Sequence, residues 1–254
     1  MARSDRSAVA KALDLLSALA DAEGPLRLSE LAERVGLHRA TAYRSLAELI
    51  ARNFVVRDEN DRYMLGWALL RMTQGPAARH ALADTARPML SRLAAETERI
   101  AGVEVLEEGG CRVIETVRPE RYQRFLGFGG EVFDPWRSAS GLVLLAFSDT
   151  GRQESFLDSA VEAGEGGAQL RAQLRAVCRE GYAFSSGGLD PLIADVAVPV
   201  RGAGGYCRAA VSVTGFVHDF DDEAVSRARH AAATAARALE NLLDDSEAEG
   251  QRVS

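Results

Sequence analysis

The segment from Leu28 to Arg52, LSELAERVGLHRATAYRSLAELIAR, restricts what this chain can fold into more than any other stretch. Apolar residues recur at Leu28, Leu31, Ala32 and Val35, the spacing of one helical face. Gly36 then interrupts, where a sharp turn between two helices calls for a positive φ. Beyond it Ala42, Leu46, Leu49 and Ile50 fall at i, i+4, i+7 and i+8, which gives a second helix its own buried stripe. At ~100° per residue, Ala40, Thr41 and Arg44 project from the opposite side, with Tyr43 on the flank. That side has little bulk, one hydroxyl and one guanidinium, groups able to bond phosphates and base edges. An ordinary helical hairpin with a solvated arginine satisfies the same pattern, so the segment alone leaves both readings open.

The flanks favour the first reading. Ser7 to Ala20 has the periodicity of a helix, with Ala8, Ala12, Leu15, Leu16 and Leu19 on one face, and Gly24-Pro25 breaks it. Leu26-Arg27-Leu28 can supply a minor strand. After Arg52 the period changes: Phe54 to Arg57, a polar turn from Asp58 to Asp61, and Arg62 to Leu65 make strand, turn, strand. Three helices followed by such a hairpin form a winged helix-turn-helix. The hairpin tip contains Asp58, Glu59 and Asp61, which phosphate repels, so only Arg57 and Arg62 suit DNA there and the wing is expected to contribute weakly. Gly66 to Arg79 is expected to be a connecting helix interrupted at Gly75-Pro76. Its Trp67, Leu70 and Met72 are apolar enough either to cap the local core or to seal against a second copy, and a dimer would supply a second half-site.

Charge is distributed to match. The net charge is −7, yet residues 1–75 carry 11 basic and 10 acidic side chains and the remainder 19 and 27. The acidic surplus therefore lies in the second part, and the first is neutral with its arginines free to cluster. Cys111, Cys178 and Cys207 are far apart and form no CxxC pair, as expected of reduced thiols rather than of a disulfide framework or zinc site. The longest apolar runs, such as Gly141 to Phe147, are too short to span a bilayer, and the N-terminus lacks a secretory apolar core, so a cytoplasmic, membrane-free protein is expected.

From His80 a second unit is expected. An amphipathic helix from Leu82 to Thr97 precedes strands at Ala101–Leu106, Cys111–Val117 and Tyr122–Phe128. Helices follow at Ser138–Phe147, Thr150–Ala160 and Gln169–Glu180, the last with Gly181 as its cap. Strands at Tyr182–Ser185, Ala194–Val200 and Cys207–Phe216 and a long helix from Asp221 to Leu243 complete the pattern, with a frayed polar tail after it. This is an α+β arrangement with an antiparallel sheet. The resulting division is 1–65 for the winged module, 66–79 for the linker helix and 80–254 for the second domain.

The segment SELAERVGLHRATAYRSLAELIARNFVVR, the following YMLGWALL, SASGLVLLAF, REGYAF, VPVRGAGG and AAVSVTG together resemble the IclR-type transcriptional regulators, over about Ser7 to Leu243. The resemblance implies a winged helix-turn-helix joined by a linker helix to a GAF-like effector domain. It further implies a homodimer, or a tetramer of paired dimers, whose hold on double-stranded operator DNA is altered by a small-molecule effector, with repression the commoner mode. In the reading helix Arg39, Thr41, Tyr43 and Arg44 match positions used against DNA, and Ala40 replaces a frequent serine. His38 stands at the helix start, where a better capping residue is expected.

In the effector domain the resemblance puts the pocket between the sheet and the SASG helix. Ala139 and Ser140 match positions whose N–H groups face the ligand, a natural anion seat. Ser185, Asp195, Ser212 and Thr214 match polar pocket positions, and alternation independently sets Ser212 and Thr214 on one side of a strand. The effector class implied is an organic acid or a hydroxylated or aromatic metabolite. Two departures bear on it: Ser185 stands where an acidic residue is frequent, and Asp195 where a neutral one is. A carboxylate in the pocket disfavours a bare organic acid unless it is protonated or paired with an arginine, and favours a hydroxyl or amine. A surface position for Asp195 at a strand edge is the other reading. Phe125, Phe128 and Trp136 are candidates for an aromatic wall or plain core, and Leu192 replaces a usual glycine after Asp190.

Catalysis and cofactors are not expected. Ser138-Ala139-Ser140-Gly141 lacks the earlier glycine of a nucleophile elbow, and His38, His80, His218 and His230 form no metal-binding pair. The scattered Gly-Gly pairs are turn signals and not a phosphate loop. A hydrolase is the minor alternative, and a sensor that uses its helical module for protein pairing is the stronger one.

Overall fold

The computed structural model describes residues 6–22, 24–66, 68–69, 72, 75–123, 130–202 and 206–252, with 245–252 through the backbone alone. The chain separates into two compact units that divide between Ala78 and Arg79.

The first unit contains α1 (Ala8–Ala20), β1 (Leu26–Arg27), α2 (Leu28–Arg34), α3 (Arg39–Ala51), β2 (Val55–Arg57) and β3 (Arg62–Leu65). Ser7 begins α1 by accepting the Ala10 N–H on its hydroxyl, which satisfies one orphan donor of the first turn. Of the apolar stripe read for α1, Leu15 and Leu19 are buried, whereas Ala8 is exposed. Glu30 returns its carboxylate to the Arg27 N–H at 2.6 Å, starting α2. Gly36 takes φ 63 in the turn to α3, the left-handed conformation its position demands. Leu15, Leu31, Ala42, Leu46 and Val55 meet in the core, closed by Tyr63 from the hairpin. The three short strands form an antiparallel sheet in the order β1-β3-β2.

The second unit is built on α4 (Pro76–Thr97), β4 (Ile100–Glu107), β5 (Gly110–Val117), β6 (Val132–Phe133), α5 (Ala139–Ala146), α6 (Thr150–Glu162), α7 (Gly167–Glu180), β7 (Ala183–Ser186), β8 (Ile193–Arg201), β9 (Cys207–Phe216) and α8 (Asp222–Arg252). The strands form one antiparallel sheet in the order β6-β5-β4-β9-β8-β7. Alternation sends Ala101, Val103, Val196, Val198, Val211 and Val213 to the face covered by α4 and α8. The other face meets α5, α6 and α7, and there β8 and β9 present the small Ala197 and Ala210. All eight residues of α5 are buried.

Three expectations are corrected. The helix expected from Leu82 starts earlier: α4 runs from Pro76 to Thr97, because a proline's fixed φ and missing N–H suit a first helical turn as well as a break. Tyr122 is not in a strand but ends a short 3-10 turn, Glu120–Tyr122, which Gln123 caps, and residues 124–128 of the expected strand, including Phe125 and Phe128, lie outside the described residues. The closing helix passes Leu243 and reaches Arg252, where a frayed tail was expected.

Candidate DNA-reading face and effector cavity

The side of α3 that reads as open in the sequence is open in the fold. Ala42, Leu46 and Leu49 hold the helix to the core. Arg39, Ala40, Tyr43 and Arg44 are exposed, and Thr41 is half-buried at the edge of that face. Neither Arg39 nor Arg44 is engaged by a carboxylate among the described residues. The Nε of Arg44 lies only 3.4 Å from the Ala40 carbonyl, a weak contact along its own helix. His38 occupies the N-cap position without a capping bond from its side chain, while its carbonyl accepts the N–H groups of Thr41 and Ala42 at 2.9 and 3.0 Å.

The wing is less available than its arginines suggested. Arg57 Nη2 is 2.7 Å from Asp61 Oδ1, and the guanidinium lies 5.9 Å from the centre of the Tyr63 ring. Asp58 Oδ1 accepts the N–H groups of Asn60 and Arg62 at 2.8 Å each, so this carboxylate shapes the turn. Arg57 is thus neutralised within the hairpin, while Arg62 remains exposed. A groove between the wing and the starts of α2 and α3 is lined by Arg27, Ser29, Arg39, Tyr43 and Arg57. Arg27 and Ser29 were not among the residues singled out from the sequence. The outward position of Arg27 between two leucines was the one signal for it.

The second site is a cavity between the start of α5 and the sheet. Gly102 and Glu104 of β4, Thr116 of β5, Asp195 of β8, and Ser212 and Thr214 of β9 converge there, with Ser140 above and Phe133 and Leu189 at the sides. Register explains the convergence: Gly102 and Ala197 flank Ser212, and Asp195 lies opposite Thr214. The enclosed space is about 20 Å³, room for roughly one water.

Asp195 is 6% exposed, so of the two readings the buried one is correct. Its Oδ2 accepts the Ala139 N–H at 2.8 Å. Burial raises its carboxyl to about 7, against hydrogen bonds from the Ala139 and Ser140 N–H groups that favour the charged form. This corrects the anion seat expected at Ala139 and Ser140: a carboxylate of the chain itself already fills it. The physics of a helix N-terminus attracting negative charge was right, but the occupant is internal. Ser138 completes the cap by accepting the Gly141 N–H at 3.0 Å, and its hydroxyl meets that of Ser140 at 3.2 Å.

Ser185 pairs with Asp195 across β7 and β8 but does not line the cavity, and its hydroxyl lies 3.4 Å from the Arg137 carbonyl. Arg137 Nε in turn bonds the Gly188 carbonyl at 2.9 Å, pinning the loop that carries Leu189. Leu192, in the same loop, is exposed. Trp136 packs against the α5–α7 core and faces a separate surface recess with Gln169 and Gln173, so Phe133 supplies the aromatic side of the cavity instead.

Sequence reading missed Glu104. It is 5% exposed, and its Oε1 accepts the Ser212 hydroxyl at 2.8 Å while Oε2 has no hydrogen-bond partner. Burial raises its carboxyl to about 8; the Ser212 hydrogen bond works the other way, and nearby Asp195 adds to the rise. The signal was present: a lone charge inside the apolar run IAGVEVL, on the same side of the strand as Gly102. Among the described residues no group of three or more His, Cys, Asp or Glu side chains is placed to hold a metal ion.

A winged helix-turn-helix with an open, arginine-bearing reading helix, followed by a sheet domain with a small polar cavity, defines a DNA-binding protein of the ligand-sensing class. The IclR helix-turn-helix domain matches residues 8–59, and the bacterial transcriptional regulator IclR C-terminal domain matches residues 75–241. The chain belongs to the IclR family of transcriptional regulators, which bind DNA and small-molecule effectors and are not enzymes. It is 30% identical to the glycerol operon regulatory protein of Streptomyces coelicolor, over 85% of this chain and 87% of that one. It is similar to the crystal structure of an IclR transcriptional regulator from Alicyclobacillus acidocaldarius, with TM-score 0.59 and 27% identity over 92% of this chain and 97% of that one. An IclR homologue from Microbacterium hydrocarbonoxydans, solved with 4-hydroxybenzoate, shares the fold at 21% identity and TM-score 0.55, covering 92% and 99% of the two chains.

Proposed function

We propose that this regulator works in the cytoplasm as a homodimer, more specifically as a repressor, whose α3 enters the major groove of operator DNA and whose grip changes when an effector occupies the cavity beside α5. The observation that carries the reading is the uncovered side of α3, with Arg39 and Arg44 left without carboxylate partners among the described residues, on a helix otherwise seated by Ala42, Leu46 and Leu49. Thr41, Tyr43 and Ala40 supply hydroxyl and apolar contacts on that face, Arg62 and the partly neutralised Arg57 meet phosphate from the wing, and Arg27 flanks the same groove. One such helix reads only a few base pairs, so two copies on half-sites about one helical turn apart are the natural arrangement. Asp195, Ser140, Ser212 and Thr214 form the effector site, with Ala139 supporting it through its bond to Asp195 and Ser185 acting from the adjoining strand.

Fluorescence anisotropy with the upstream region of its own gene tests this. Arg44→Ala is expected to weaken specific binding by ~1–3 kcal/mol while circular dichroism stays unchanged. An unaltered operator affinity in a folded Arg44→Ala protein would remove Arg44 from the reading face. Binding that does not weaken as salt rises would remove DNA as the partner.

A further inference from the structure

We propose that the cavity beside α5 accepts an effector head group that donates hydrogen bonds and carries no negative charge, an ammonium or a hydroxyl, with Oε2 of Glu104 as its principal acceptor. The proposal rests on the reading of the second unit as the effector domain and names the chemistry of that site.

Among the described residues, every polar group lining the cavity is a carboxyl, a hydroxyl or backbone. Glu104 of β4 and Asp195 of β8 face it from either side of β9, joined by Thr116, Ser140, Ser212 and Thr214, and no lysine, arginine or histidine lines it among the described residues. The helix N-terminus, the one feature among the described residues that could attract an anion, is occupied by Asp195 Oδ2 on the Ala139 N–H. A carboxylate ligand entering here would meet two acidic groups and no counter-charge. A donor meets the opposite situation. Glu104 Oε2 is buried with no partner, while Oε1 is already held by Ser212. An unsatisfied buried acceptor is unfavourable until a donor reaches it. Gly102 keeps that space open: a Cβ there would lie 2.5 Å from Glu104 Oε1 and 2.8 Å from Ser212 Oγ.

The groups facing Glu104 are Asp195 from β8, the Ser212 hydroxyl from β9 and the Cys111 thiol from β5, none of them a cation. A protonated amine would therefore stand where the site otherwise holds a proton, and its binding would release that proton. A neutral hydroxyl can donate to Oε2 only when the carboxyl is ionised, so its binding also favours release of the proton, less strongly than a cation does.

The cavity has room for roughly one water-sized head group, so the probes are the smallest molecules that carry each kind of head, methylammonium, methanol and formate, titrated into the full chain by saturation-transfer NMR. Methylammonium or methanol is expected to bind saturably in the millimolar range, with formate silent. Glu104→Gln, nearly isosteric, is expected to weaken the bound probe by about tenfold or more, and Thr214→Val by a smaller factor. An affinity that climbs between about pH 6 and about pH 9 marks donation to the ionised Glu104, with a steeper climb for methylammonium than for methanol. Tighter binding of formate than of both other probes overturns the proposal. So does unchanged binding in folded Glu104→Gln and Thr214→Val, or no saturable binding of methylammonium or methanol. Operator binding by the probe-free wild-type protein, measured in parallel, tests the regulator reading by itself.

Discussion

Glu104 and Asp195 are carboxyl groups held in one buried site, and each is pushed toward its neutral form, to about 8 and about 7. The consequence for stability has a definite sign. The unfolded chain releases these protons near the ordinary values of 4.5 and 3.8, while the folded protein retains them to higher pH. The contribution is full below those ordinary values and is lost as pH rises through about 7 and about 8. Each group imposes a slope of at most ~1.4 kcal/mol per pH unit. Glu104→Gln should therefore flatten the decline of unfolding free energy between about pH 5 and about pH 8, read from denaturant unfolding at a series of pH values. If the variant and the wild type decline in parallel, Glu104 does not hold a proton in the folded protein. Asp195 was visible in the sequence only as a departure from relatives; what settled it was the Ala139 N–H, donated from a helix that starts 56 residues earlier in the chain.

At the scale of the element, α5 shows how tightly a cavity-forming helix must be seated. Its N-terminus is closed by the Ser138 hydroxyl and by Asp195, and Gly141 lets the preceding turn pass against the helix. A Cβ at Gly141 would lie 2.1 Å from the Pro135 carbonyl oxygen, and neither backbone can yield cheaply. Gly141→Ala should cost roughly 1–3 kcal/mol or more, and Ser138→Ala about 1 kcal/mol. Thermal unfolding of the two variants gives the order, and a Gly141→Ala protein as stable as the wild type would contradict the close approach. The helix itself was legible from the apolar run after SASG, because an element buried on all sides needs no periodicity to be recognised. Its tight contact with Pro135 was not legible, since nothing local distinguishes a glycine required by a neighbour from one in a turn. The same limit explains α4, where Pro76 reads equally as a break or a first turn until its neighbours are known.

At the scale of the molecule, a regulator of this kind is a coupling between two ligands, and the coupling is reciprocal. Whatever factor the effector applies to the operator dissociation constant, the operator must apply to that of the effector, with values of about 5–150-fold typical. Anisotropy with saturating effector and calorimetry with saturating operator duplex should return the same factor. Two different factors would mean that the cavity ligand and the DNA are not linked through one equilibrium of the same protein. The charge asymmetry between the first 75 residues and the rest fits this division of labour: the part that meets phosphate is near neutral with exposed arginines, and the acidic surplus sits elsewhere.

The local pattern of the chain was enough to determine the reading helix, its open side and most of the order of helices and strands, though not the short edge strand β6, because helical and strand periodicity are properties of neighbouring residues and burial follows them. The contents of the cavity were decided only in three dimensions. Glu104, Asp195, Ser140 and Ser212 are scattered over four separate elements, and it is strand register together with the placement of α5 that brings their polar atoms within hydrogen-bonding reach. Whether a carboxylate is an ion on the surface or a proton store in the interior depends on what surrounds it, and those surroundings come from distant parts of the chain.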